Sequence, residues 1–526
     1  MKLDAAARRR ALEAMTSGEL DLLVVGGGIT GAGSALDAAT RGLSVGLVEA
    51  RDFAAGTSST SSKVIHGGLR YLEMGDFGLV REALRERELL LTRIAPDLVG
   101  PLAFLWPLHG RGWERAYVGA GLVLYDTLGG ARSLPRHRHL SRRGALRVAP
   151  ALRPDALVGA VQFHDAAEDD ARMVAVVART AAAHGAHIAT RVRVTGFRRP
   201  GEVDAVDEET GVELLLRARH VAGAAGAWTD RLRALAGGHS SRRIVPSKGV
   251  HVFVAGDRIP MDTGLLARTE KSVLFVVPFQ GGWLIGDTDT PWTAGPDEVV
   301  ANGADVDYLL ARTNALLASP LRREDVHGVT AGLRPLVADA ARSDTTRLSR
   351  KHVVESPVPG LTTIAGGKYT TYRVMAADLV DAAARALGTS ARSVTRDVPL
   401  LGDRERELAE LVQAHPELGE PLEGGGGHRA ADVVYACTHE GALHLEDVLE
   451  RRTRLSITAP DRGLAAAAPA AALMAGALGW DAVRAQREVE AWRAQVAAER
   501  AAEAETDDEA ALAAYRAVLA GAPVPT

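Results

Sequence analysis

The stretch from Asp21 to Glu49 limits what this 526-residue chain can fold into more than any other. DLLVV is a short apolar run suited to a buried strand. GGGITG follows, ALDAATRGL continues in a helical pattern, and SVGLVE reads as a second strand. The spacing predicts a βαβ unit that carries G-x-G-x-x-G as Gly26, Gly28 and Gly31, with an acid, Glu49, 18 residues beyond the last glycine. Each glycine has a steric reason. Gly26 permits the tight turn, Gly28 lets a pyrophosphate approach the backbone, and Gly31 lets helix and strand pack closely. Free N–H groups and the helix dipole favour phosphates at that point, and Glu49 is placed to accept hydrogen bonds from ribose hydroxyls. A glycine turn alone is a weak signal. Strand, helix, strand and acid together point to a bound dinucleotide, either NAD or FAD.

The next segment breaks the repeated βα pattern. GTSSTSSKVIHGGLRY, residues 56–71, has the composition of a flexible spacer. A spacer, however, has no use for the Lys, His, Arg and Tyr at its far end. A helix is expected over about 77–94, where Val80, Leu84, Leu90, Leu91 and Ile94 make an apolar face for core packing. From about residue 156 the pattern is mixed. ALVGAVQFHD is strand-like, DDARMVAVVARTAAAHGA is a helix capped by Asp169 or Asp170, and LFVVPFQGGWLIGDTDT reads as a hairpin around residues 280–282. LTTIAGGKYTTYRVMAADLVDAAARAL reads as strand, glycine turn and helix. Beyond about residue 395 strand signals end, and GGGG at 424–427 is a loop within a helical region.

A formal net charge of −4 gives no bulk attraction to nucleic acid, and no nucleic-acid partner is expected. The single cysteine, Cys437, excludes an internal disulfide framework and suits a reducing, cytoplasmic setting. No long apolar run precedes Asp21, so no secretory signal is expected. The strongest apolar window, 464–480, is mostly alanine and contains Pro469, so no membrane span is expected. Residues 5–15, AAARRRALEAM, are a weak candidate for a surface anchor and read better as a solvated helix. No metal centre is expected. Arg is the default cation, with lysine only at positions 2, 63, 248, 271, 351 and 368. That singles out Lys368 inside GGKYTTYR.

Taken together, these motifs resemble the FAD-dependent glycerol-3-phosphate dehydrogenases. The resemblance begins with VVGGGITGAGSALDAATRGLSVGLVEARDFAAGTSSTSSKVIHGGLRYLE. It continues through DDAR (169–172), GAWTD (226–230), SKGVH (247–251), GLRPL (332–336), GGKYTTYR (366–373) and LEDVLERRTRL (445–455), nearly the whole chain in the family's order. GGLRYLE and GGKYTTYR are far more specific than the glycine fingerprint. The resemblance implies an α/β fold with a Rossmann-like FAD-binding domain of the D-amino-acid-oxidase-like flavoprotein type, an interleaved mixed-sheet substrate domain and an all-α C-terminal domain. The implied division is an oxidoreductase domain over 1–390 and a helical domain over 391–526. Within the first, the FAD-binding part takes about 18–75, 150–245 and 345–390, and the substrate-binding part about 76–149 and 246–344. Two positions depart from the family. Gly223 stands where Asn is common, and Ala167 is smaller than expected.

The implied reaction is oxidation of sn-glycerol 3-phosphate to dihydroxyacetone phosphate, by hydride transfer from C2 to flavin N5. The resemblance assigns FAD contacts to Gly26, Gly28, Gly31 and Glu49, to the hydroxyls of Thr57, Ser58, Ser61 and Ser62, and to Gly67 and Gly68 beneath the flavin. Gly226, Gly367, Lys368 and Thr370 complete that set. A phosphate calls for Arg, whose planar fork binds two oxygens at once. Arg70, Arg334 and Arg347 are the candidates, with Tyr71 and Lys368 completing the substrate pocket. Most arginines in such a chain are solvated surface charges; Arg334, flanked by Gly332 and Pro335, escapes that reading best. His251 is the leading base because His titrates near working pH, and His66 is its rival. Arg334 and Lys368 join His251 in the catalytic set. Lys248 and Trp228 are expected to shape the flavin pocket, Trp228 by packing.

The implied electron acceptor is a membrane quinone, with peripheral attachment at the inner face of the cytoplasmic membrane. A homodimer contact is an alternative use of the helical region. Three rivals stand beside this reading. An oxidase of the same fold would pass electrons to oxygen and make hydrogen peroxide. An amino-acid-oxidase-like flavoenzyme would pair its Arg with a carboxylate. A nucleotide-binding sensor would have no use for Arg334, Lys368 and His251.

Overall fold

The computed structural model describes residues 1–110, 112–129, 133–269, 273–339 and 351–522, apart from the side chains of Arg70, Ala156 and Asp339. Among these residues the chain builds one sheet of eight strands and one of ten, followed by a helical region. The first sheet has a parallel core in the order Leu361–Ala365, Glu213–Gly223, Glu19–Val25, Val45–Val48, His187–Ala189. Strands buried on both faces read as continuous apolar runs, as DLLVV does. Helices Ile29–Thr40, Asp170–Ala183 and Tyr372–Leu387 cover one face through Ala32, Leu36, Val174, Val177, Met375 and Leu379. Asp169 caps the second of these helices, accepting from Arg172 N at 3.3 Å. Gly33 allows the first to cross the third, since a Cβ there would lie 2.9 Å from the Tyr372 ring.

The N-terminal helix Ala5–Ser17 lies on the other side of this sheet. Met15 and Ala11 are buried against Leu20, Val48 and Val192, and Arg8 donates to Thr190 O at 2.9 Å. The solvated helix expected at 5–15 is therefore a packed element, because Ala11 and Met15 present an apolar face that a count of arginines hides. Gly223 also finds its reason here. A Cβ at that position would lie 2.7 Å from a Leu232 methyl and 3.0 Å from the Thr363 methyl, so a larger residue there would require those side chains to move.

In the second sheet the long strands Arg242–Ala255 and Val326–Asp339 pair antiparallel. This sets His251 opposite Thr330 and Ser247 opposite Arg334. On its other side Arg242–Ala255 pairs with Gly282–Gly286, which puts Gly286 beside His251. Strands Val273–Phe279 and Gly282–Gly286 form the hairpin read from LFVVPFQGGWLIG, turning at Gln280 and Gly281. Residues 159–167, which the sequence grouped with the cofactor side, form the strand Gly159–Ala167 of this second sheet, between Gly100–Leu108 and Val64–Ile65. Helix Phe77–Leu89 runs on into a wider turn, Leu90–Ile94, and buries Val80, Leu84, Leu90 and Ile94 as its periodicity implied.

Beyond Leu400 the described chain is helical. Its core joins Val433, Leu445, Leu449, Met474 and Trp492, with the free Cys437 buried among them. The alanine-rich helix Leu464–Leu478 buries Ala466, Ala467, Ala470, Ala471 and Met474 in this core. Among the described residues no helix is long and apolar enough to cross a membrane.

Candidate active site

Strand Glu19–Val25 ends at Gly26, whose φ of +117° an L side chain rarely adopts and whose added Cβ would lie 2.5 Å from Ala224 O. Helix Ile29–Thr40 starts three residues on, with Gly28 as its N-cap. A Cβ on Gly31 would collide with Gly26 O, so the turn cannot close around any larger residue. Glu49 stands at the end of the neighbouring strand. Its carboxylate accepts from Gly27 N at 2.6 Å and from Arg51 N at 2.8 Å, which fixes it at the rim of a cavity of about 1920 Å³. That volume exceeds the roughly 300–1,000 Å³ usual for a drug-sized ligand. One wall follows Gly26, Gly28, Ile29 and Glu49, and the far end reaches Gly366, Gly367 and Lys368. An extended dinucleotide fits such a channel. Gly26, Gly28 and Gly31 leave open a cradle that any Cβ would fill or distort.

The hydroxyl-rich stretch forms the adjoining wall, and its hydroxyls have specific protein partners. Ser58 Oγ accepts from Ile29 N at 3.1 Å at the helix N-terminus. Thr57 Oγ1 donates to Leu333 O at 2.6 Å, and Ser61 Oγ donates to Asp170 at 2.7 Å. Ser62 Oγ and His251 Nε2 are 2.9 Å apart. All four residues line the cavity, but Thr57, Ser61 and Ser62 hold the loop's shape through these bonds. Gly67 turns away from the cavity. Its N–H donates to Tyr125 Oη at 2.8 Å, and a Cβ would strike Leu84. Among the described residues Gly68, not Gly67, lines the cavity.

At the far end several charged side chains meet. Lys368 Nζ lies 3.5 Å from the centre of the Tyr71 ring. Gly367, with φ of +89° and Met375 behind it, turns the chain into Lys368. Lys368 precedes the short turn Tyr369–Thr371 and helix Tyr372–Leu387. Thr370 Oγ1 accepts from His66 N at 3.2 Å, tying the two glycine loops together. Arg334 forms an ion pair with Asp287 and donates to Thr288 O at 2.9 Å, its fork lying over Gly249. Burial works against its charge, but Asp287 and Asp289 outweigh that and hold it above the ordinary range. His251 is 2 % exposed, its ring lies against Gly286, and its Nδ1 has no hydrogen-bond partner among the described residues. Burial, with the Lys63 and Arg334 charges adding to it and Asp287 opposing, pushes the imidazole down to about 4. It is therefore neutral at physiological pH.

Other expectations land elsewhere. Lys248 does not face the cavity. It is buried with Asp305 at 2.6 Å and pairs with Asp508 of the last helix, Asp508–Leu519; both acids are distant in sequence, so its partners were invisible there. Trp228 lines the cavity and donates from Nε1 to Asp297 at 2.9 Å, and Gly226 lies on the same wall. The Arg70 side chain and Arg347 lie outside the described residues. Sequence reasoning missed Asp287, in the GDTDT that follows the hairpin. The signal was faint: an acid directly after Gly286, the residue paired with His251.

Comparison with known proteins agrees with this geometry. Residues 21–373 match the family model described as FAD dependent oxidoreductase, and residues 362–485 match the C-terminal domain of alpha-glycerophosphate oxidase. The chain is 46% identical to glycerol-3-phosphate dehydrogenase 2 of Mycobacterium tuberculosis, over 97% of this chain and 93% of that protein. It is also 46% identical to glycerol-3-phosphate dehydrogenase of Mycobacterium leprae, over 96% and 92%. The crystal structure of glycerol-3-phosphate dehydrogenase from Bacillus halodurans complexed with FAD superimposes with a TM-score of 0.75 at 27% identity, covering 94% of this chain and 98% of that one. A cavity built on the dinucleotide fingerprint, a fold shared along its length and identity of this extent lead to one conclusion: the chain is an FAD-dependent enzyme belonging to the glycerol-3-phosphate dehydrogenase family.

Proposed function

We propose that this chain oxidises sn-glycerol 3-phosphate at C2 to dihydroxyacetone phosphate and delivers the electrons to a quinone. The observation that carries the reading is the meeting, at one end of the cavity, of Lys368 over Tyr71, the Arg334–Asp287 pair and the His251–Ser62 pair. A phosphoester alcohol needs a cation for its dianion, a proton acceptor for its hydroxyl and a wall that excludes water. These groups supply all three. The names of the mycobacterial relatives point to the same substrate.

In this proposal Lys368 and Arg334 draw in the phosphate, with Arg70, Arg347 and Tyr71 as further contacts. Asp287 keeps the Arg334 fork oriented before substrate arrives. His251, neutral, accepts the C2 hydroxyl proton at a ring nitrogen, and Ser62 fixes the ring. Backbone N–H groups of the 366–370 turn, at the start of helix Tyr372–Leu387, favour negative charge beside them. Bound FAD supplies the hydride acceptor. An oxidoreductase unit over 1–390 and a helical unit over 391–526 complete the arrangement.

The quinone part of the proposal is supported by the rim of the cavity. Met74, Phe77, Tyr117 and Leu124 are exposed there, with Trp113 stacked edge-on to Tyr117 at 5.7 Å. Exposed apolar side chains gathered at a cavity mouth suit an apolar electron acceptor and a membrane surface. The test is turnover of sn-glycerol 3-phosphate with a short-chain quinone analogue, following dihydroxyacetone phosphate and hydrogen peroxide together. Product formed with the quinone and without peroxide is expected. Product with stoichiometric peroxide would replace the quinone by oxygen, and no product would remove the substrate assignment.

A further inference from the structure

The adenosine end of the cavity is not closed by the first sheet alone. Glu49 N donates to Ala189 O at 3.0 Å, Val192 N to Glu49 O at 2.8 Å, and Arg191 N to Arg51 O at 2.9 Å. The ribose-binding acid is thus joined directly to the segment starting at Arg191, which lines the cavity beside it. Glu208 N donates to Arg191 O at 2.9 Å, bringing the turn after strand Glu202–Asp207 to the same wall. Against that turn stands His444 of the helical region, its Nε2 2.6 Å from Glu209 Oε1. Among the described residues it is the one beyond position 390 that reaches the cavity wall. His444 is buried and sits between Glu209 and Glu488. Burial opposes its charge, but hydrogen bonds to those two carboxylates push it up to about 9.

A second observation concerns the cofactor loop itself. Asp52, at its start, is 1 % exposed and receives Arg451 Nε at 2.7 Å and Arg452 Nη1 and Nη2 at 2.8 Å. Ser59 O, in its middle, accepts from Arg454 Nη1 at 3.2 Å and from Lys63 Nζ at 2.7 Å. Arg454 adopts φ of +64° to reach there and pairs with Asp169 at 2.7 Å and with Asp170. Arg191, also at positive φ, is held by Glu446 at 2.9 Å and Asp447 at 2.6 Å. Both chain segments that border the adenosine end are therefore anchored to one stretch, 446–454, of the helical region. These pairs are buried, where removing one partner leaves an uncompensated charge.

We propose that residues 444–454 are part of the FAD site: His444 walls its adenosine end, Arg451, Arg452 and Arg454 hold the 52–62 loop in place, and the helical region thereby sets how tightly FAD is kept. The inference rests on FAD lying with its adenosine at Glu49. It needs no assumption about the substrate, so the test uses none. Apoprotein of the wild type, His444→Ala and His444→Gln is titrated with FAD and, separately, with FMN, which lacks the adenosine half, and binding is followed by flavin fluorescence. His444→Ala is expected to raise the Kd for FAD about tenfold while leaving FMN binding unchanged, with His444→Gln in between. Equal weakening of FAD and FMN would mean general loosening and would overturn the proposal, as would an unchanged Kd for FAD. Arg454→Met is expected to weaken both flavins through the loop; should that variant not fold, the His444 series still decides.

Discussion

At the scale of single residues, His251 makes the sharpest claim. Its ring is buried, neutral and next to Ser62, Asp287 and Arg334. His251→Asn is expected to lower kcat by about 10²–10⁴-fold, with FAD content per mole of protein unchanged; stopped-flow reduction of the bound flavin measures the step directly. The same burial has a thermodynamic signature. The folded imidazole titrates near 4 instead of the ordinary 6.5, so below 6.5 the unfolded chain binds the proton that the folded chain refuses. Its contribution to stability is complete above pH 6.5 and falls as pH drops toward 4, by about 3 kcal/mol at full extent. Denaturant unfolding at pH 7 and pH 4.5 should show a smaller acid loss for His251→Asn than for the wild type. Lys368, over the Tyr71 ring, is the matching test for the phosphate: Lys368→Met is expected to cut kcat/KM by about 10–10²-fold, mostly through KM for the phosphoester.

At the scale of elements, the glycine turn before helix Ile29–Thr40 is the proposed seat of the cofactor pyrophosphate. Gly31→Ala forces a methyl group into Gly26 O. Overpacking of this kind costs about 1–3 kcal/mol, and the helix end moves with it. The variant is expected to purify with most of its FAD missing, read from the flavin-to-protein absorbance ratio. This element was legible in the sequence because everything it needs lies within about thirty residues: an apolar strand, three glycines, a helix and an acid. The hairpin at 280–282 was legible for the same reason, and the helix cap was narrowed to Asp169 or Asp170, of which Asp169 is the one in place. What escaped depends on pairs distant along the chain. Lys248 looked like a cofactor residue until Asp305 and Asp508 came to it. The neighbours that require glycine at position 67, Leu84 and Tyr125, are likewise distant along the chain. Asp287 acquires meaning only through Arg334 on a neighbouring strand pair, and His444 only through Glu209. Family motifs marked where the site is; they did not say which hydroxyls and charges the protein satisfies internally.

At the scale of the whole molecule, three parts meet on one cavity. The parallel sheet supplies the dinucleotide wall, the mixed sheet supplies His251 and Arg334, and the helical region reaches the adenosine end and anchors the loop between. The exposed apolar side chains of Met74, Phe77 and Tyr117, with Trp113 against Tyr117, are the face proposed to meet a membrane. Binding to vesicles is expected to weaken at least severalfold when Phe77 and Trp113 are both changed to Ser, as burying each large apolar side chain contributes about 1.5–3 kcal/mol; vesicle sedimentation measures it. The central claim, that the far end of the cavity receives a three-carbon phosphoester for oxidation, is tested most directly by anaerobic spectroscopy of the holoenzyme. Stoichiometric sn-glycerol 3-phosphate is expected to bleach the flavin band near turnover rate and to leave one dihydroxyacetone phosphate per flavin, whereas glycerol and amino acids leave the band intact. A flavin that stays oxidised with the phosphoester, or bleaches equally with an amino acid, contradicts the account.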